Sequence, residues 1–209
     1  SLALLPLVTE RQICGFVDLD CWRKDSFVRK PFMEWIAAFV QVGPDETVRA
    51  LSGIDENAIA LFLKDIITVY ELERDEPAPE TELFFTPDHR FAVHQDEKGE
   101  LATISSLILD ALFGSAPDLG YSLLRRVRYT TRTVLEETAY QNKVRRLEVE
   151  GFVDYYSALS IYGDPLQGET MVRPRPGDIG DEDGVGDDLP RFLPTIFADS
   201  ISEGGFLLA

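Results

Sequence analysis

Apolar side chains recur three and four positions apart through most of the first 160 residues, and this spacing constrains the fold more than any other feature. Phe32, Trp35, Ile36, Phe39 and Val40 fall at i, i+3, i+4, i+7 and i+8, while Ile59, Phe62, Leu63, Ile66, Ile67 and Tyr70 carry the same rhythm a turn further. Each set predicts a helix with one buried stripe. The helix limits are also written in the chain. Thr9 with Gln12 forms a capping box, Gly43 followed by Pro44 stops one helix and starts the next, and Asp55 caps the long one. Helices so closely spaced imply short antiparallel connections.

Shifting the chain by 46 residues aligns VTERQICGFV with IDENAIALFL, so that Val8/Ile54, Glu10/Glu56, Ile13/Ile59, Phe16/Phe62 and Val17/Leu63 coincide. That period lies in the range of HEAT and armadillo units, whose stacked helices share one core. Beyond Tyr70, RDEPAPE reads as a charged, proline-broken loop, and short aromatic and branched runs flanking TPDHR predict a β-hairpin near 82–95. Ile104, Leu107, Ile108, Ala111 and Leu112 mark a further helix ending at Gly114. Asp118 opens a helical region reaching about Phe152, weakened around 129–133 by consecutive threonines. The expected architecture is therefore mainly α, built of stacked helical hairpins with one small β-hairpin inserted. The boundaries are a helical domain over 1–165, an acidic flexible linker over 166–190 and the start of another helical segment over 191–209.

Composition limits the partners. Thirty-seven acidic against 20 basic residues give a formal net charge of -17, which repels nucleic-acid phosphates and anionic membranes. No apolar run is long enough to span a bilayer and no secretory leader is visible. The two cysteines, Cys14 and Cys21, lack redox or zinc spacing and are read as reduced thiols, so a cytoplasmic location is expected. Ser1 in place of Met and the apolar end GGFLLA suggest a piece of a longer parent.

The stretch 18–25, DLDCWRKD, crowds five charged side chains of three types, a thiol and an indole into eight positions. It is read as a structural corner: Phe16, Val17 and Leu19 complete an apolar stripe, Cys21 and Trp22 pack beneath, and Arg23 and Lys24 sit where cations favour a helix C-terminus. Displayed instead, Asp18, Asp20 and Asp25 would be metal or cation ligands, and Trp22 and Arg23 would form a recognition surface. Arg125, Arg128 and Arg132, at i, i+3 and i+7, are the other candidate interaction residues, although Glu136 lies one turn beyond Arg132 and favours an internal ion pair. Tyr140, Val144 and Leu147 form the packing stripe of the helix that follows.

No catalytic residues and no metal ligands are assigned. In GDIGDEDGVGDD, 177–188, setting Gly184 at the sixth position of a calcium loop puts Ile179 first and no glutamate twelfth. His89 and His94, five apart on an extended hairpin, point to opposite faces. Neither a nucleophile elbow nor a phosphate-cradling or dinucleotide glycine loop occurs, and no cofactor is expected. Beyond the acidic stretch, Phe192, Leu193, Ile196 and Phe197 recur at helical spacing and need a surface to cover them.

DLDCWRKD, TPDHRF and EETAYQNKVRRLEVEGFVDYYSALSIYGDP resemble, across residues 4–165, an uncharacterised bacterial domain of unknown function. The resemblance implies a longer parent protein and supplies no catalytic residue. The first 70 residues are also similar to the cytosolic N-domain of MgtE-type magnesium transporters, which implies a superhelix of short helices with a cation-sensitive acidic surface. The function expected is a non-catalytic helical-repeat module binding an unidentified protein partner. A divalent-cation-responsive regulatory domain and an enzyme of unrecognised type are the alternatives.

Overall fold

The computed structural model describes residues 2–74, 83–96, 98–153 and 155–162. A 3-10 helix, Leu2–Leu7, leads into α1, Glu10–Asp20; the capping box closes as expected, with the Gln12 amide donating to Thr9 Oγ1 and the Thr9 amide donating to Gln12 Oε1 at 2.9 Å. Two short strands, β1 (Trp22–Arg23) and β2 (Ser26–Phe27), form a tight antiparallel pair before α2, Arg29–Val42. Gly43 then takes φ 144°, a region open to glycine, and Pro44 starts α3, Pro44–Gly53. Gly53 is small for a different reason: a Cβ there would meet the Glu10 backbone and side chain at about 2.9 Å, so its absence lets α3 close on the start of α1. Asp55 caps α4, Glu56–Lys64, by accepting from the Asn57 amide at 2.8 Å.

The expected helix through Tyr70 is corrected here. The chain leaves α4 after Lys64, and Ile67–Glu71 is a strand, β3. Ile66, Ile67, Thr68 and Val69 are all β-branched, which weakens helix and favours strand. Ile67, Val69 and Glu71 alternate as its buried positions, a period-two signal superimposed on the helical one. β3 pairs with β5, Phe91–Gln95, which pairs in turn with β4, Leu83–Phe85, giving an antiparallel sheet of order β3-β5-β4. The hairpin around TPDHR is therefore present but belongs to a three-stranded sheet, and β1-β2 is a second one; the single inserted hairpin becomes two small sheets. His89 sits in the turn at φ 54° rather than in extended strand, and His94 Nδ1 lies 2.9 Å from Asp96.

The remaining helices are α5 (Glu100–Ser115), α6 (Pro117–Tyr129), α7 (Arg132–Val149) and α8 (Tyr155–Tyr162). The break at Thr130 and Thr131 falls where the threonines predict it. A connected core extends from Leu5 to Ala139, with Phe32 and Phe62 fully buried and their rings 5.0 Å apart. α4 packs on both α6 and α7, and α3 on α5. The fold is mainly helical with two small sheets, and no helix among the described residues is long and apolar enough to cross a membrane.

The 46-residue offset survives in the boundaries, since α1 begins at Glu10 and α4 at Glu56, each behind a side-chain cap. Ile13/Ile59 and Val17/Leu63 are buried pairs. Phe16 and Phe62 differ: Phe62 is enclosed, whereas Phe16 is half-buried and stacks on Trp35 at 5.4 Å. After α4 the chain enters β3, so the correspondence stops at one helix pair. Most of RDEPAPE, the stretch 166–190 and the segment 191–209 lie outside the described residues.

Candidate functional site

DLDCWRKD is largely an internal corner. Trp22 is 5% exposed, its ring set edge-on to Phe27 at 5.4 Å and near Tyr140 at 5.9 Å, with the Lys143 ammonium 5.3 Å from its centroid. Cys21 is fully buried, and the loss of water pushes its thiol well above the ordinary range. Arg23 donates to the backbone carbonyls of Asp20 and Trp22 at 3.3 and 3.1 Å, closing the end of α1 as its charge predicts. The expected apolar stripe is wrong at one position. Leu19 faces outward, whereas Asp18 and Asp20 are the residues turned inside, because 100° per residue places position 20 beside Ile13 and Val17.

Asp18 is held by a group far along the chain. Arg146 of α7 forks onto Asp18, Nε to Oδ2 at 2.7 Å and Nη2 to Oδ1 at 2.8 Å, and its Nη1 donates to Asp55 Oδ2 at 3.0 Å. Asn142 donates to the same Asp55 oxygen at 2.9 Å. One guanidinium thus ties the end of α1 to the cap of α4. Burial works against its charge, but the hydrogen bond and charge of Asp18 outweigh that and raise its pKa. Asp20 accepts from Trp35 Nε1 at 3.1 Å.

Above this network, α1 and the C-terminal half of α7 enclose a cleft of about 680 Å³, lined among others by Arg11, Cys14, Asp18, Arg146, Leu147 and Val149. Burial, reinforced by Asp18, pushes the Cys14 thiol up to about 11. Both Asp18 oxygens are engaged by Arg146, and Arg11 pairs with Glu150 across the rim. The cleft therefore offers neither a thiolate at neutral pH nor an unoccupied Asp18 oxygen. Its walls are mostly carbon. A smaller recess of about 140 Å³, lined by Lys24, Tyr140, Lys143, Leu147, Val153 and Tyr155, shares Leu147 with the cleft. Around both, Val149, Phe152, Val153, Tyr155 and Tyr156 are exposed, Val149 by 80% and Phe152 by 53%.

The arginine stripe is not a single face. Arg125 and Arg128 lie on α6 and Arg132 on α7, because the break at Thr130 and Thr131 interrupts the helical phase. Arg132 is held by Asp65 at 3.0 Å and Glu136 at 2.8 Å, the internal pairing its spacing suggests. Glu136 also accepts from the Phe27 amide. Arg128 lies over the Tyr129 ring, and Arg125 is exposed. Sequence reasoning passed over Arg126, which donates to Glu56 and Asn57 at 2.9 Å each, and over Arg146. The signal for Arg146 was indirect: an acid on the inward side of α1, Asp18, requires a cation from elsewhere.

Another buried acid organises the sheet edge. Glu71 accepts from the Tyr129 hydroxyl and from Arg90 at 3.0 Å, and Arg74 lies at 3.4 Å. Donation by Tyr129, together with the arginines, outweighs burial and holds this carboxyl below its usual 4.5. A depressed carboxyl stabilises the fold above its unfolded pKa, and the contribution disappears as the pH falls through the folded value. Glu71→Gln is therefore expected to flatten the loss of thermal stability below about pH 4.5 relative to the parent chain. Parallel acid-limb curves for the two proteins would refute this assignment.

No group of three or more histidine, cysteine, aspartate or glutamate side chains able to hold a metal ion occurs among the described residues. Residues 1–200 match a family described as a family of unknown function, DUF6178. No curated protein and no solved structure matches the chain.

Proposed function

The chain belongs to this family of unknown function, and we propose that it is a non-catalytic helical interaction module whose docking face is the α1/α7 cleft with the apolar surface beside it. In this reading the helix pairs beginning at Leu2–Leu7 and Pro44–Gly53 form a stacked, repeat-like support, and α7 lies across both. The observation that carries it is the pairing of a carbon-walled cleft with a run of large exposed apolar side chains, Val149, Phe152, Val153, Tyr155 and Tyr156, at its end. Exposed apolar groups gathered beside a groove mark interaction surfaces. With both Asp18 oxygens held by Arg146 and the Cys14 thiol kept protonated, the cleft floor favours binding over acid–base or nucleophilic chemistry.

This differs from the sequence expectation in its residues. Trp22 supports the corner from inside, Arg23 caps a helix end and Arg132 is internally paired, so the partner contact moves to α7 and α8. A photo-activatable phenylalanine analogue tests the reading when placed in the full chain at Phe152 and, as a control, at exposed Ser52 on α3. Irradiation in the source cell is expected to give discrete crosslinked bands from position 152, to this chain or another, and none from position 52. Equal diffuse backgrounds at both positions would remove the docking face.

A further inference from the structure

We infer that the occupant of the α1/α7 cleft is this chain's own apolar segment, residues 189–209; the inference rests on the docking reading above and names what docks. The cleft selects an apolar occupant, because Arg146 is spent on Asp18 and Asp55 and Arg11 on Glu150, which leaves little uncompensated charge to attract an ionic ligand. The segment 189–209 is apolar in the required way. It contains Phe192, Leu193, Ile196, Phe197, Ile201, Phe206, Leu207 and Leu208, with Arg191, Asp199 and Glu203 as its charged side chains.

Geometry brings the two together. The last described helix, α8, begins beside the recess that adjoins the cleft: the Lys24 ammonium lies 5.2 Å from the Tyr155 ring, the Tyr156 hydroxyl is 3.4 Å from Asp25, and Tyr155 lines the recess that shares Leu147 with the cleft. Residues 163–188 separate the end of α8 from the apolar segment, and a random coil of that length would have a typical reach of about 30 Å. The 11-residue α1 that forms one cleft wall is shorter than this, about 16 Å at 1.5 Å per residue.

Tethering makes the chain's own segment the favoured occupant. A short tether holds its end at an effective concentration of about millimolar, whereas a second copy carries the same net charge of -17 and is repelled. Arg145 adds direction. It is exposed on the cleft rim with no ion-pair partner among the described residues, and the connecting stretch 177–188 carries six carboxylates.

Cys14 in the cleft wall reports occupancy directly, with buried Cys21 as the unreactive internal reference. Maleimide labelling of Cys14 in the 209-residue chain is to be compared with the double variant Phe192→Asp/Phe197→Asp at one pH, with helicity checked by circular dichroism. Those two positions lie outside the described core, so the helical domain should fold in both proteins. The parent chain should label about tenfold or more slowly, independent of protein concentration, as an intramolecular cover requires. Equal rates would overturn the inference. Protection that persists in the double variant and is lost on dilution would place a second copy in the cleft, overturning the inference while leaving the docking face in place. Equal rates combined with no crosslinking from position 152 would remove both.

Discussion

Arg146→Ala should lower folding stability by about 3 kcal/mol, the lower end of the range for removing one partner of a buried ion pair, since the arginine itself keeps a third of its side chain in water. The loss comes from what remains behind. The Asp18 and Asp55 carboxylates keep only 5% and 9% of their surface in water, and without the guanidinium neither has an ion-pair partner among the described residues. Arg146→Lys should recover only part of the stability, because an ammonium cannot match the forked contact to Asp18 while also reaching Asp55. The double variant Asp18→Asn/Arg146→Met should be more stable than Arg146→Ala alone, since it removes one of the two stranded charges, the more deeply buried Asp18, and leaves only Asp55. Urea unfolding measures all three. An Arg146→Ala midpoint indistinguishable from the parent would mean that the network is ornamental and that α7 is held to α1 and α4 by packing alone.

Trp22→Ala is the second large effect, with a cost of about 3 to 5 kcal/mol, the usual range for emptying a buried aromatic site. The indole contacts Phe27 from β2 and Tyr140 from α7, and the Lys143 ammonium covers its ring. Its removal therefore loosens the corner on three sides, and Cys21, sealed beneath in the parent, should become reactive to thiol reagents in the variant. A stability change within measurement error, together with rapid Cys21 labelling in the parent chain, would show Trp22 displayed as a recognition surface rather than packed.

These two positions also separate what was readable in the chain from what was not. Trp22 was legible as buried because its neighbours in sequence set up a helix end and an apolar stripe. Arg146 was not, because its value depends on Asp18 and Asp55, 128 and 91 residues away. Leu19 was misplaced by hydropathy alone: it looked like core, yet the helical phase turns Asp18 and Asp20 inward instead, where Arg146 and Trp35 hold them. The arginines at 125, 128 and 132 looked like one stripe only if the threonine break was ignored.

The sequence by itself determined the helices and most of their limits, since caps, glycine stops and apolar spacing act within a turn or two of chain. Thr9, Gly43, Pro44, Asp55 and the Thr130–Thr131 break all function as their local chemistry dictates. Only the tertiary structure decided that Ile67–Glu71 leaves the helix for a strand, because its two periodicities were tied until β5 supplied a ladder of hydrogen bonds. It also decided which acids are buried and where the cleft opens. Burying a carboxylate is favourable only once its partner is in place, and the partner arrives with α7, after the chain has folded back across both helix pairs.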